Sequence, residues 1–155
     1  MHPTIDDIGA FITGVFGRIP AVITAGAGND GVEVIGPYHD RTSKKGMPRS
    51  CKVMVIWEAA IGAGESLSIA ANLEDATSSG GAGTANFGTV FPNTIVQLGG
   101  AGGTFRGVTE FSVDLAGARQ FIAAAVTANL SRATTDTVAI ATVIVLGGGD
   151  TLPQT

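Results

Sequence analysis

Alternation of apolar and polar residues, interrupted at short intervals by glycine, is the feature that most limits what this chain can fold into. In "ESLSIAANLED", residues 65 to 75, Leu67, Ile69, Ala71 and Leu73 alternate with Ser66, Ser68, Asn72 and Glu74. Successive side chains of a strand point to opposite faces, so this pattern predicts a half-buried strand with its apolar residues inward. "SCKVMVIWEA", residues 50 to 59, carries Cys51, Val53, Val55 and Trp57 on one face and Met54 and Ile56 on the other. Apolar residues on both faces predict a central strand. "TFRGVTEFSVDLAG", residues 104 to 117, sets Phe105, Phe111, Val113 and Leu115 inward against Arg106, Glu110, Ser112 and Asp114 outward. The segments 119 to 131 and 136 to 148, rich in β-branched residues and poor in charge, are expected at the sandwich centre. The alanine run from Ala123 to Ala128 has helical propensity, but its short gap to β neighbours favours a hairpin.

Breakers separate these segments: Gly62-Ala63-Gly64, "SSGGAGT" (78 to 84), "GGAGG" (99 to 103) and "GGGD" (147 to 150). With further strands expected at 31 to 36, 86 to 91 and 93 to 98, the count is about eight. Short strands with turn signals at near-regular spacing predict an all-β fold, a β-sandwich of jelly-roll type. The 155 residues fit one domain, long enough to bury a core without metal or disulfide support. No sequence repeat is present.

Only residues 4 to 19 break the period of two. Thr4 followed by Asp7 forms a capping box, and Ile8, Phe11, Ile12, Val15, Phe16 and Ile19 fall on one helical face. Gly9, Gly14 and Gly17 each cost about 1 kcal/mol in a helix interior, so the segment is expected to be a marginal amphipathic helix or arm that Pro20 ends. The organisation expected is an arm over 1 to 20 and a sandwich over 21 to 155.

"TAGAGNDGVEV", residues 24 to 34, contains a G-x-G-x-x-G in Gly26, Gly28 and Gly31. That pattern cradles a dinucleotide only where a helix opens on it and an acidic residue follows about 20 positions later. Here a short strand pattern stopped by Gly36-Pro37 follows instead, so the stretch reads as a turn.

Catalysis needs a base beside a nucleophile, paired carboxylates, or a metal with an open position. The sequence offers little of this. Cys51 is single and lies in an apolar strand pattern, which predicts a buried, inert thiol. His39-Asp40 reads as a solvated turn, and Glu74-Asp75 as a turn cap, with a calcium site as the lesser reading. No enzymatic activity and no cofactor are expected. Nor does any stretch reach the roughly 18 apolar residues of a membrane helix, and no basic segment of a secretory signal opens the chain, so no membrane partner is expected.

Charge is sparse and unevenly placed. Charged residues make up 14% of the chain against a usual value of about 25%, while 45% is hydrophobic. So apolar a surface predicts coverage by other subunits. Arg41, Lys44, Lys45, Arg49 and Lys52 are five of nine basic residues, with no acidic residue among them. A basic loop on an acidic body suits docking onto an acidic protein neighbour. Nucleic acid is the rival target, but the net charge of −4 and a single nearby aromatic, Tyr38, speak against it.

The stretch "GVEVIGPYHDRTSKKGMPRSCKVMVIWEAAIGAGESLSIAANLEDATSSGGAGTANFGTV", roughly residues 31 to 90, resembles the small head-decoration, or cement, proteins of tailed bacteriophages. The shared features are a G-x-x-[VI] strand, a polar segment, a hydrophobic strand, a glycine turn, and a strand ending in an L-E-D step before a Ser/Gly-rich loop. The resemblance implies a β-sandwich, often a jelly roll, sitting as a trimer on the capsid surface and clamping the major capsid protein. It implies a structural virion protein, made in the host cytoplasm and found on the virion, and brings no catalytic residues. Ile8, Phe11, Ile12, Val15, Phe16, Ile19, Arg41, Lys44, Lys45 and Arg49 are the candidate interface residues. An adhesion or carbohydrate-binding β-sandwich is the alternative, though the chain has one Trp and one Tyr to stack on sugars and Trp57 reads as core.

Overall fold

Residues 12–43, 47–131 and 135–149 are described by a computed structural model. They form strands β1 (Ile12–Thr24), β2 (Val34–Ile35), β3 (His39–Asp40), β4 (Ser50–Ile61), β5 (Ser66–Ala76), β6 (Ala85–Leu98), β7 (Gly103–Asp114), β8 (Phe121–Leu130) and β9 (Thr137–Gly147). Two antiparallel sheets result. One runs β1-β9-β4-β7; the other runs β2-β8-β5-β6, with β3 also pairing β8. The inner rows named by the alternation are the observed core. Val53, Val55, Trp57 and Ala59 of β4 face Leu67, Ile69, Ala71 and Leu73 of β5, and Ile122, Val126, Ile140 and Ile144 complete it. The expected β-sandwich is therefore observed.

Between residues 12 and 19 the structure corrects the helical expectation: this segment is strand β1, which runs on through Pro20. Residues 4 to 11, with Ile8 and Phe11, lie outside the described residues. Two physical reasons favour the strand. Gly14 and Gly17 weaken a helix, and the free edge of β9 offers β1 backbone partners along its length, from Ile12↔Gly147 to Thr24↔Thr137. The register slips twice, at Gly17 and at Ile19-Pro20, where two residues of β1 stand opposite Ala141 alone. Such bulges tolerate a proline that cannot donate a ladder hydrogen bond, as edge strands do.

The pair of strands expected at 86 to 91 and 93 to 98 is one strand, β6. Pro92 falls within a slip of its register between Phe91 and Thr94, so the strand passes the proline without breaking. The outward row of β5 departs from expectation as well: Asn72 and Glu74 are buried, as are Ala123 and Ala125 beside them on β8. Tyr38 reaches from the β2–β3 segment past β8 and β5 to hydrogen-bond Thr84, which joins Glu74 in turn.

Contacts close both sides of the sandwich. On one side a side-chain carbon at Gly36 would overlap the carbonyl of Gly17, so the two backbones meet where no other residue fits. The Arg18 guanidinium crosses the same seam to the Val126 carbonyl at 3.3 Å. On the other side Phe91 of β6 stacks on Phe111 of β7, ring centroids 6.4 Å apart.

Candidate docking face

The outer face of the four-stranded sheet gathers several exposed large apolar side chains, while others stand apart at Val32, Ile35, Met47, Ile95 and Leu98. The antiparallel registers lay it out as rows running from β1 across β9 and β4 to β7. One row reads Val22, Ala139, Glu58, Arg106; the next places Ile19 and Pro20 of the bulge beside Ala141, Ile56 and Val108; a third reads Phe16, Val143, Met54, Glu110. Phe16, Ile19, Val22, Ile56 and Val108 are between 44% and 70% exposed. Large apolar side chains left this open and contiguous mark a contact surface rather than ordinary surface scatter.

Relief and charge complete the geometry. The small Ala139 and Ala141 leave a groove of about 490 Å³ between Pro20 of β1 and the wall made by Ile56 and Val108. The charges of the neighbouring rows pair across strands within the face. Arg106 Nε donates to Glu58 Oε2 at 2.5 Å, and Lys52 Nζ to Glu110 Oε1 at 2.7 Å. Both pairs are solvent-exposed and contribute little to stability; their consequence is local neutrality.

Of the sequence-derived interface residues, Ile12, Phe16 and Ile19 stand exposed on this sheet, while Val15 is partly buried against the core. Val22, Ile56 and Val108 were not among the candidates. The apolar outer row of residues 50 to 59 was the available signal, read there only as the mark of a central strand.

Of the basic loop, one described cation, Arg41, turns inward. Lys44 and Lys45 lie outside the described residues. Arg41 is buried, with Nε donating to the Arg119 carbonyl at 2.9 Å and Nη1 to the Leu115 carbonyl at 2.9 Å, and Nη2 to the Ala118 carbonyl. Burial lowers its pKa, and the nearby Asp75 carboxylate opposes the shift. The planar fork of the guanidinium satisfies several carbonyls at once, which is why this cation turns inward. Arg49 is exposed, and Lys52 is engaged by Glu110.

Neither acidic candidate is a turn. Glu74 and Asp75 lie within β5 and are buried. The Arg119 backbone N–H donates to Asp75 Oδ2 at 2.9 Å, and Asn72 Nδ2 donates to Glu74 Oε1 at 2.5 Å. Burial pushes the Glu74 carboxyl up, Glu33 and Asp75 add to this, and the Asn72 and Thr84 hydrogen bonds oppose it. His39 and Asp40 form β3 rather than a turn, with the imidazole against the Phe16 carbonyl. Cys51 is buried, its thiol pushed up to about 12 by desolvation. Among the described residues no group of three His, Cys, Asp or Glu side chains is placed to hold a metal ion.

Fold and face together define a two-sheet antiparallel β-sandwich bearing an apolar outer face whose charges are paired. A solved structure shares that fold. A structure of the Gt strain of infectious bursal disease virus matches over 92% of this chain and 33% of its own, at 12% identity and a TM-score of 0.50. The crystal structure of the infectious bursal disease virus VP2 subviral particle matches over 89% and 32%, at 10% identity and a TM-score of 0.48. At such identities the likeness is one of fold. This chain spans about a third of the length of those solved chains. No protein-family model and no curated protein matches it.

Proposed function

We propose that this chain is a structural protein of a virus particle, acting by docking rather than by catalysis. The observation that carries the reading is the apolar outer face of the four-stranded sheet, a surface suited to another protein. Strand order supports it. With β2 and β3 taken as one interrupted strand, the eight strands in chain order form sheets 1-8-3-6 and 2-7-4-5. That is the wrapped order of a jelly roll, an architecture recurrent in viral capsids. The fold-level likeness to a structure from a virus points the same way.

The finer reading follows the resemblance over residues 31 to 90. The chain is a decoration, or cement, protein of a tailed-phage head, docked as a homotrimer on the outer surface of the major capsid protein. Antibody–gold labelling of gradient-purified particles, from a lysate encoding this sequence, tests it. Label on the outside of intact heads is expected. Label confined to the soluble fraction contradicts a virion role, and label on tails alone contradicts the decoration reading while leaving the broader one.

A further inference from the structure

We infer that the outer face of the four-stranded sheet is occupied by a second copy of this chain, the β1 ridge of one copy seated in the groove of the other. The inference rests on the docking role proposed above and assigns this face to contact between copies, so that the assembled copies meet the shell protein through another surface.

Shape is the first argument. Phe16, Ile19 and Val22 are exposed apolar side chains along an edge strand, Val22 directly opposite Ala139, and the groove floored by Ala139 and Ala141 has Pro20 of the same strand as its wall. One face therefore carries both a projection and a recess of the same chemistry. A surface holding both halves of a contact is self-complementary, which is the condition for closed assembly of identical chains.

Charge is the second argument. The chain carries a net charge of −4, so two copies repel unless they meet where charge is already cancelled. On the rows that carry ridge and groove, Arg106 is paired with Glu58, and Glu110 is paired with Lys52. A basic partner gains nothing from such a face, whereas an equally neutral copy docks without leaving a charge unpaired. The Arg106–Glu58 pair borders the groove and remains solvent-exposed, the arrangement of a polar rim around an apolar centre.

Cysteine cross-linking of the full chain, without particles, tests the geometry. Positions 19 and 108 are separated in one chain by β9 and β4, so their backbones stand roughly 14 Å apart by strand spacing, beyond the roughly 7 Å that a disulfide spans. The native Cys51 is buried and does not compete. Under mild oxidation an equimolar mixture of Ile19→Cys and Val108→Cys variants is expected to form covalent dimers at least tenfold faster than either variant alone. Val22→Asp, an exposed change that the fold accommodates, is expected to abolish the cross-link and reduce the native mass to the 15.5 kDa monomer. The inference is overturned if the mixture reacts no faster than the single variants, if Ile19→Cys links only to itself, or if the unaltered protein sediments as a monomer at micromolar concentration. A monomer that still decorates heads defeats this inference and leaves the virion reading standing; an oligomer absent from particles does the reverse.

Discussion

The indole of Trp57 on β4 occupies the space that a side chain at Gly107, its direct cross-strand partner on β7, would need. The absence of a Cβ at Gly107 leaves room for the chain's one tryptophan to pack within the core. Gly107→Ala should therefore overpack this site and cost about 1 to 3 kcal/mol. Urea unfolding followed by tryptophan fluorescence should show a lower midpoint with an unchanged slope. An unchanged midpoint would mean that β7 yields easily and that the indole is not held by this contact.

Arg41 binds the loop from Leu115 to Arg119 through backbone carbonyls. Replacement by methionine keeps the stem but leaves buried acceptors unmet, each worth about 1 to 3 kcal/mol. Arg41→Met should lower the thermal midpoint, and lysine should restore it only in part because it lacks the fork. If Arg41→Met weakened particle attachment while stability held, the guanidinium would be serving a partner after all.

Glu74 carries a pH dependence whose sign is set by its environment. Its folded pKa lies above the unfolded one, so its contribution favours folding below the unfolded value, about 4.3, and is lost as pH rises through the folded value. Glu74→Gln removes that loss while keeping an acceptor for Asn72. The variant should be more stable than the parent at pH 7, with the difference vanishing below about pH 4. A variant less stable than the parent at pH 7 would show that the ionised carboxylate is stabilising where it stands.

Most of the sandwich was legible because its segments carry a clean period of two. Leu67, Ile69, Ala71 and Leu73 were named as inward by alternation alone, and all four are fully buried or nearly so. β1 was illegible for a physical reason. Its apolar residues Ile12, Val15, Phe16 and Ile19 match a helical face as well as a strand with two bulges, because each bulge inserts a residue and shifts the alternation. Only the pairing edge of β9, distant in sequence, decides between them. The docking face suffered likewise, since Val22, Ala139, Ile56 and Val108 come from four separate strands and meet only through register. The inward turn of Arg41 depends on carbonyls more than 70 residues away, which no local charge pattern could reveal.

The most direct test of a structural virion role is peptide counting on gradient-purified particles washed in concentrated salt. Apolar docking survives or tightens in salt, whereas adventitious ionic adsorption is screened away. This chain should remain in a fixed molar ratio to the shell protein through the wash. Its absence from the particles, or a ratio that falls toward zero with washing, would contradict the account.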